Sequence, residues 1–210
     1  MYNDPLLSAD AEKIFDIEFF ERDPSLFYKK AGSFFYNMDE KEPSVVHTVL
    51  GGLEKQGFLK SVITQNIDLL HQKGGCKKVI EVHGSPKTHY CLRCAGIKMD
   101  FDEAAKIVDS GSMPKCPQCG NVLKPAITFF GENLPVNALR DATEESKKAD
   151  LILILGTSLT VFPAASLPEY TLRCGGEIII VNNMPTHLDH RAVMLFEDLG
   201  EVFEGLRELF

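Results

Sequence analysis

LILILGTS, residues 151–158, sets the fold class. Five apolar residues in a row describe a strand covered on both faces, and Gly156-Thr157-Ser158 stops it abruptly. A charged amphipathic helix, residues 136–149, precedes it. PAASLPEYTLRC (163–174) follows as a helix entered through proline, with Pro168 as an irregularity. EIIIVN (177–182) is a second such strand, and EVFEGLREL (201–209) is a closing helix. Toward the N-terminus the same pattern gives strands at SVIT (61–64), VIEVHG (79–84) and PAITFF (125–130). PSVVHTVLGGLEKQGFLK predicts a helix with Val46, Val49, Leu50 and Leu53 on one side and Gly57 at its end. Short apolar runs alternating with helices predict an α/β fold built on a parallel sheet. The first 42 residues instead carry Phe15, Phe19, Phe20, Phe27, Tyr28, Phe34 and Phe35 at spacings that suit short amphipathic helices, one of them started by Pro24 after Asp23.

Parallel sheets bind ligands beyond the carboxyl ends of their strands. Polar or small groups stand at all five such ends: Gln65-Asn66-Ile67-Asp68, His83-Gly84, Gly131-Glu132, Gly156-Thr157-Ser158 and Asn182-Asn183. They read as one crevice. His83 suits a general base near neutral pH, with Gly84 leaving space beside the imidazole; a structural histidine is the competing reading. Gln65, Asn66 and Asp68 can hydrogen-bond ribose hydroxyls or a carboxamide, or Asp68 can begin a helix or turn. His71 reads as a helix-face residue. Gly156 permits close backbone approach, Thr157 and Ser158 supply hydroxyls, and Asn182 can reach a ribose.

Cys91-x2-Cys94 and Cys116-x2-Cys119, 21 residues apart, predict two knuckles closing one tetrahedral four-thiolate zinc site. No ligand position stays open, so the metal is structural. A redox pair is the weaker reading. FDEAAKIVDSG between the knuckles reads as a small helix, and Gly120 suits a tight turn. His89 is expected at the surface, and Cys76 and Cys174 as ordinary buried or half-buried thiols.

A formal net charge of −8 argues against a nucleic-acid surface and suits a basic partner such as a lysine-rich peptide. The start MYNDPLLSADAEK lacks the features of a signal peptide, and no apolar run approaches a membrane span. Six cysteines then read as reduced thiols or metal ligands in a soluble, cytoplasmic chain, with a nuclear one also open.

In order, TQNID (64–68), LHQKGG (70–75), VHG (82–84), the two CxxC pairs, KPAITFFGE (124–132), LGTSL (155–159), VFPAA (161–165) and IIVN (179–182) resemble the motif run of the sirtuin family. The match is close over residues 43–210 and loose over 1–42. The resemblance implies an α/β, Rossmann-like parallel sheet with a small zinc-ribbon domain and a helical insertion. Residues 1–86 and 123–210 would form the NAD-binding domain, with 5–42 a helical part of the small domain and 87–122 the zinc module. It implies NAD as cosubstrate, structural Zn2+, and an acyl-lysine protein or peptide as substrate, without nucleic acid or membrane.

The implied reaction is NAD-dependent deacetylation. The acyl oxygen attacks the nicotinamide ribose, nicotinamide leaves, and His83 deprotonates a ribose hydroxyl so that it attacks the imidate carbon. O-acetyl-ADP-ribose and free lysine result. Asn66, Ile67 and Asp68 would hold the nicotinamide ribose and carboxamide region, and Gln65 the ribose near His83. Gly156, Thr157 and Ser158 would contact the adenosine side, Asn182 its ribose, and Leu199 the adenine. Phe129, Phe130, Gly131 and Glu132 with Val161 and Phe162 would flank the peptide as a paired strand, the two phenylalanines lining an acyl tunnel.

The family's first strand, its Gly-Ala-Gly-x-Ser loop and its Pro-Asp-Phe-Arg segment do not occur in these 210 residues. The expectation is that the chain by itself turns over NAD slowly or not at all, whether it is a shortened product or a naturally short member. Members that prefer acidic acyl groups carry Tyr-x-x-Arg where this chain has Tyr28 and Ala31, so acetyl or longer apolar groups are expected. Two other readings stand beside the deacetylase: a non-catalytic, zinc-stabilised peptide-binding module, and protein ADP-ribosyltransfer from the same NAD site.

Overall fold

The structure is a computed structural model that describes residues 11–30, 32–94 and 96–209. Residues 1–10, Ala31 and the Phe34 side chain, all invoked above, lie outside the described residues. The chain divides into two compact units, Met1–Lys41 with His83–Leu134 and Glu42–Val82 with Pro135–Phe210. The strands in chain order are β1 (Val62–Thr64), β2 (Val79–Glu81), β3 (Gly84–Tyr90), β4 (Lys98–Asp100), β5 (Lys124–Ile127), β6 (Leu151–Leu155), β7 (Glu177–Val181) and β8 (Met194–Phe196).

The unit holding residues 42–82 and 135–210 is the parallel one. β1 pairs with β2 from Val62↔Val79 to Thr64↔Glu81, and β6, β7 and β8 form a second parallel ladder with Leu151 opposite Glu177. Helix Val45–Lys55 follows Ser44, whose amide donates to His47 Nδ1 at 3.2 Å. It stops where Gly57 adopts φ +82° and Phe58 N–H reaches back to the Leu53 carbonyl at 3.0 Å. Its apolar side, Val49 and Leu50, packs with Val62, Cys76 and Phe203. A second core joins Ile154, Ile178 and Ile180 of the strands to Leu159, Ala165 and Leu188. The proline-entered segment begins as a 3-10 turn, Ala164–Ser166, and becomes α-helical over Leu167–Arg173, with Pro168 in the first turn. There Thr171 Oγ1 donates to the Ser146 carbonyl at 2.6 Å, locking this helix to Val136–Lys148.

β8 is not among the expected strands. Its three side chains are all exposed, and pairing with β7 rather than burial orders it. Cys174, expected to be at least half-buried, is exposed, while Cys76 is buried.

The other unit is antiparallel, with strand order β4-β3-β5. PAITFF therefore does not extend the parallel sheet: β5 runs against β3, Tyr90 opposite Lys124. An apolar run reports burial but not the sheet that buries it, and the excursion through the cysteines returns this strand beside β3. Around it lie short helices. Asp16 Oδ1 accepts Phe19 N–H at 2.7 Å to start Ile17–Arg22, and Asp23 Oδ1 accepts Ser25 N–H at 3.1 Å to start Ser25–Lys30. Phe15, Phe20 and Phe27 close around Phe129 at 5.5–5.6 Å between ring centroids.

The four cysteine sulfurs lie within 4.8 Å of one another, with Cys91 and Cys119 at 3.6 Å. A zinc–thiolate tetrahedron with bonds of about 2.3 Å has sulfur–sulfur edges of about 3.8 Å, so the cluster fits that ion. Gly120, at φ +72°, makes the second knuckle's turn, and Leu123 packs against Cys91 and Cys116. His89 is fully buried rather than at the surface. Its Nε2 is 2.6 Å from the Tyr36 hydroxyl, and burial, with the nearby Lys124 charge, pulls its pKa to about 4, so it stays neutral.

Helix Val45–Lys55 meets the Gly74-Gly75 turn at Gly51, where an added methyl would collide with the Gly74 carbonyl. Gly51→Ala should cost about 1–3 kcal/mol through overpacking, read as a lower urea midpoint. Cys116→Ser should take zinc from about one ion per chain to a small fraction by metal analysis, and lower the thermal midpoint.

Candidate functional site

In the parallel unit, the candidate groups sit on turns that the strand ends build. Thr64 closes β1, and its hydroxyl accepts Asn66 N–H at 3.0 Å, folding the chain back immediately. Asn66 is exposed, while Gln65, Ile67 and Asp68 are half-buried. Asp68 Oδ1 accepts Leu70 N–H at 3.0 Å, while the N-cap position of helix Leu70–Lys73 is Leu69; Asp68 thus makes a turn rather than a helix cap, and the turn fixes its carboxylate. His71 follows on Leu70–Lys73, its ring 4.7 Å from that of His47. Burial holds both imidazoles below the usual histidine range, with Asp68 opposing, so both are neutral at pH 7.

On the second ladder, Gly156 leaves β6 at φ +58° while its N–H stays on the Val181 carbonyl at 3.0 Å. A methyl there would stand 3.2 Å from Leu199 Cδ1, so Gly156 and Leu199 are direct neighbours. Thr157 Oγ1 accepts Leu159 N–H at 3.2 Å, and the Ser158 and Thr160 hydroxyls are 2.8 Å apart. Asn182 follows β7 and uses its side-chain amide on the Met184 carbonyl at 2.7 Å. Val161 and Phe162 are exposed.

Leu69 at φ +59° and Leu159 at φ +54° are the non-glycine residues with positive φ among the described residues. Each follows a candidate binding residue, Asp68 and Ser158. A left-handed leucine costs on the order of 1–3 kcal/mol, and such strain gathers at ligand-binding turns. No composition or spacing signal marks either residue.

His83 belongs to the antiparallel unit, whereas Gln65–Asp68 belong to the parallel one. It is half-buried, and its carbonyl accepts Thr128 N–H at 2.7 Å. Gly84, expected to leave space beside the imidazole, has a backbone reason: φ +78° and an approach to the Ala126 carbonyl that no Cβ could share. Beyond β5, Phe129 is 1% exposed and fills the aromatic core, while Phe130 is 49% exposed. Both backbone groups of Phe130 are already engaged, its N–H on the Phe15 carbonyl at 2.7 Å and its carbonyl on Ile17 N–H at 3.0 Å. Glu132 is half-buried, 2.8 Å from the ammonium of Lys124, which is completely buried. Lys124 is absent from the expected site; the available signal was a lysine beginning an otherwise apolar run.

A family model described as Sir2 family matches residues 3–163. The NAD-dependent protein deacetylase of Thermotoga maritima is 43% identical over 186 residues, covering 89% of this chain and 75% of that protein. Among solved structures, Sir2Tm bound to a propionylated peptide superposes with a TM-score of 0.89 at 42% identity, covering 95% of this chain and 84% of that one. A Sir2 complex with p53 peptide and NAD+ gives 0.87 at 42% identity, covering 93% and 81%. With the four-thiolate cluster, the parallel ladders and the His83-Gly84 turn already in place, these matches carry one conclusion: the chain belongs to the Sir2 family.

Proposed function

We propose that this chain is an NAD-dependent protein lysine deacetylase that converts acetyl-lysine in a protein or peptide to lysine, releasing nicotinamide and O-acetyl-ADP-ribose. One observation carries it: 43% identity to a protein deacetylase over 89% of the chain. The roles divide between the units. Gln65, Asn66, Ile67 and Asp68 bind the nicotinamide ribose and carboxamide, on a turn that Thr64 and Leu70 hold in place. Gly156, Thr157, Ser158, Asn182 and Leu199 bind the adenosine part; the contact between Gly156 and Leu199 supports a flat, apolar seat for adenine. NAD supplies the electrophilic sugar carbon when bound.

His83 takes the proton of a ribose hydroxyl. Its backbone is tied to β5 through Thr128, which supports a fixed starting point for the imidazole. Gly131 and Glu132 of the antiparallel unit, and Val161 and Phe162 of the parallel unit, bind the substrate peptide. Phe129 backs this edge from the core, and Phe130 contributes its exposed ring.

A preference for acetyl or longer apolar acyl groups fits the place of Tyr28. Its hydroxyl is buried on the Leu123 carbonyl at 2.6 Å and so is not offered to an acidic acyl group. The relative seen with a propionylated peptide fits the same preference. Among the described residues no helix is long and apolar enough to cross a membrane, and we place the protein in the cytoplasm.

With acetyl-lysine peptide and NAD, whatever turnover the chain shows, read as O-acetyl-ADP-ribose and free lysine, should fall by about 10²–10⁴-fold in His83→Ala with peptide affinity retained. Turnover that ignores this change would remove His83 from the reaction, and peptide binding without any NAD binding would leave a non-catalytic peptide module instead. Comparing acyl groups on one peptide, kcat/KM for acetyl should exceed that for succinyl; the opposite order refutes the assigned preference.

A further inference from the structure

The Lys124 side chain is wholly enclosed, and its ammonium is nonetheless fully spent. It donates to Glu132 Oε2 at 2.8 Å, to the Ile127 carbonyl at 2.6 Å and to the Pro125 carbonyl at 3.3 Å, with the Phe129 ring 4.0 Å away. Three protons thus meet three oxygens. Glu132 is equally committed. Its Oε2 also accepts Phe129 N–H at 2.7 Å, its Oε1 accepts the Tyr90 hydroxyl at 3.3 Å, and its own N–H returns to the Phe129 carbonyl at 3.1 Å. The turn from Phe129 to Glu132 is therefore closed from inside by a carboxylate folded back over it. From outside, Phe15 and Ile17 hold the Phe130 backbone, and Gly131, at φ +88°, packs where a methyl would stand 3.0 Å from Ile17 Cγ2.

A buried ion pair is a poor device for stability, because desolvating both charges offsets most of their attraction. It is a good device for fixing a backbone, since each lost contact strands a charge. Lys124 also directly follows Leu123, which packs on Cys91 and Cys116. The ammonium thereby joins the zinc knuckles to the turn.

We propose that Lys124 and Glu132 are positioning residues for the acyl-peptide: their ion pair, buried at the ammonium and half-buried at the carboxylate, holds the turn from Phe129 to Glu132 in the one conformation that accepts a substrate strand at Gly131. This inference rests on the peptide-docking role given to that turn above. Neither residue needs to touch the acetyl group or NAD.

The test is calorimetric binding of an acetyl-lysine peptide and, separately, of NAD, to the unaltered chain and to Glu132→Gln, Lys124→Met and the double variant. Each single change strands one charge, whereas the double variant removes both and keeps an amide oxygen for Phe129 N–H. Each single variant should bind peptide about ten- to a hundredfold more weakly while NAD affinity stays within about twofold, and the double variant should regain most of the loss. In turnover, the singles should raise the peptide KM with little change in kcat. Glu132→Asp keeps the charge but shortens its reach; if the singles unfold, it should weaken peptide binding at an unchanged thermal midpoint.

Single variants that bind peptide normally, that weaken NAD and peptide alike, or that the double change does not rescue would overturn the positioning role while leaving the deacetylase assignment intact. If the unaltered chain binds no acetyl-lysine peptide, the peptide-docking assignment falls, and this inference with it.

Discussion

The backbone from Val82 to Gly84 must satisfy two unrelated ladders in three residues. Val82 donates its N–H to the Thr64 carbonyl at 3.0 Å, finishing the parallel pairing of β1 with β2. One residue later, the His83 carbonyl accepts Thr128 N–H at 2.7 Å, and Gly84 lies against Ala126 in an approach closed to any side chain. Buried peptide groups must be paired, so a slip of one residue would orphan groups in both sheets at once. The registers of β1 with β2 and of β3 with β5, and the place of the imidazole in the chain, are consequences of that junction.

Where a signal was local, it could be read directly. The CxxC spacing named all four thiolates, because a tetrahedral ion imposes its geometry on residues three apart. The apolar runs at 62–64, 79–81, 151–155 and 177–181 pair as parallel strands, even though β2 and most of β6 are only half-buried and Leu151 is exposed. The same reasoning misassigned PAITFF, since its apolar character comes from an aromatic cluster supplied by residues 15–27 and not from a parallel sheet. His89 illustrates a related limit. A lone histidine beside the knuckles carries no mark of the Tyr36 hydroxyl that makes its burial tolerable.

Within the candidate site, residue types were readable and their supports were not. Gln65–Asp68 and Gly156–Ser158 announced themselves as polar strand ends. The left-handed leucines one step beyond each set did not, since leucine gives no hint of φ above zero. Lys124 is the clearest case. Charge in an apolar run is unfavourable until its partner is known, and Glu132 becomes that partner only when the turn folds back. Both the strained leucines and the buried pair depend on tertiary structure, so no local window contains them.

The outermost strand of the three-stranded parallel ladder has a consequence for the molecule in concentrated solution. β8 shows Met194, Leu195 and Phe196 to water, with Val193 exposed just before it, and among the described residues the ladder gives it one strand neighbour, β7. Such an edge invites foreign backbone to zip onto it, the first event in amyloid-like growth. Glu197 and Asp198 follow at once, and two carboxylates at the end of a sticky tetrapeptide act as gatekeepers against stacking of like chains. A charge pair outside the hydrophobic core thus guards this edge.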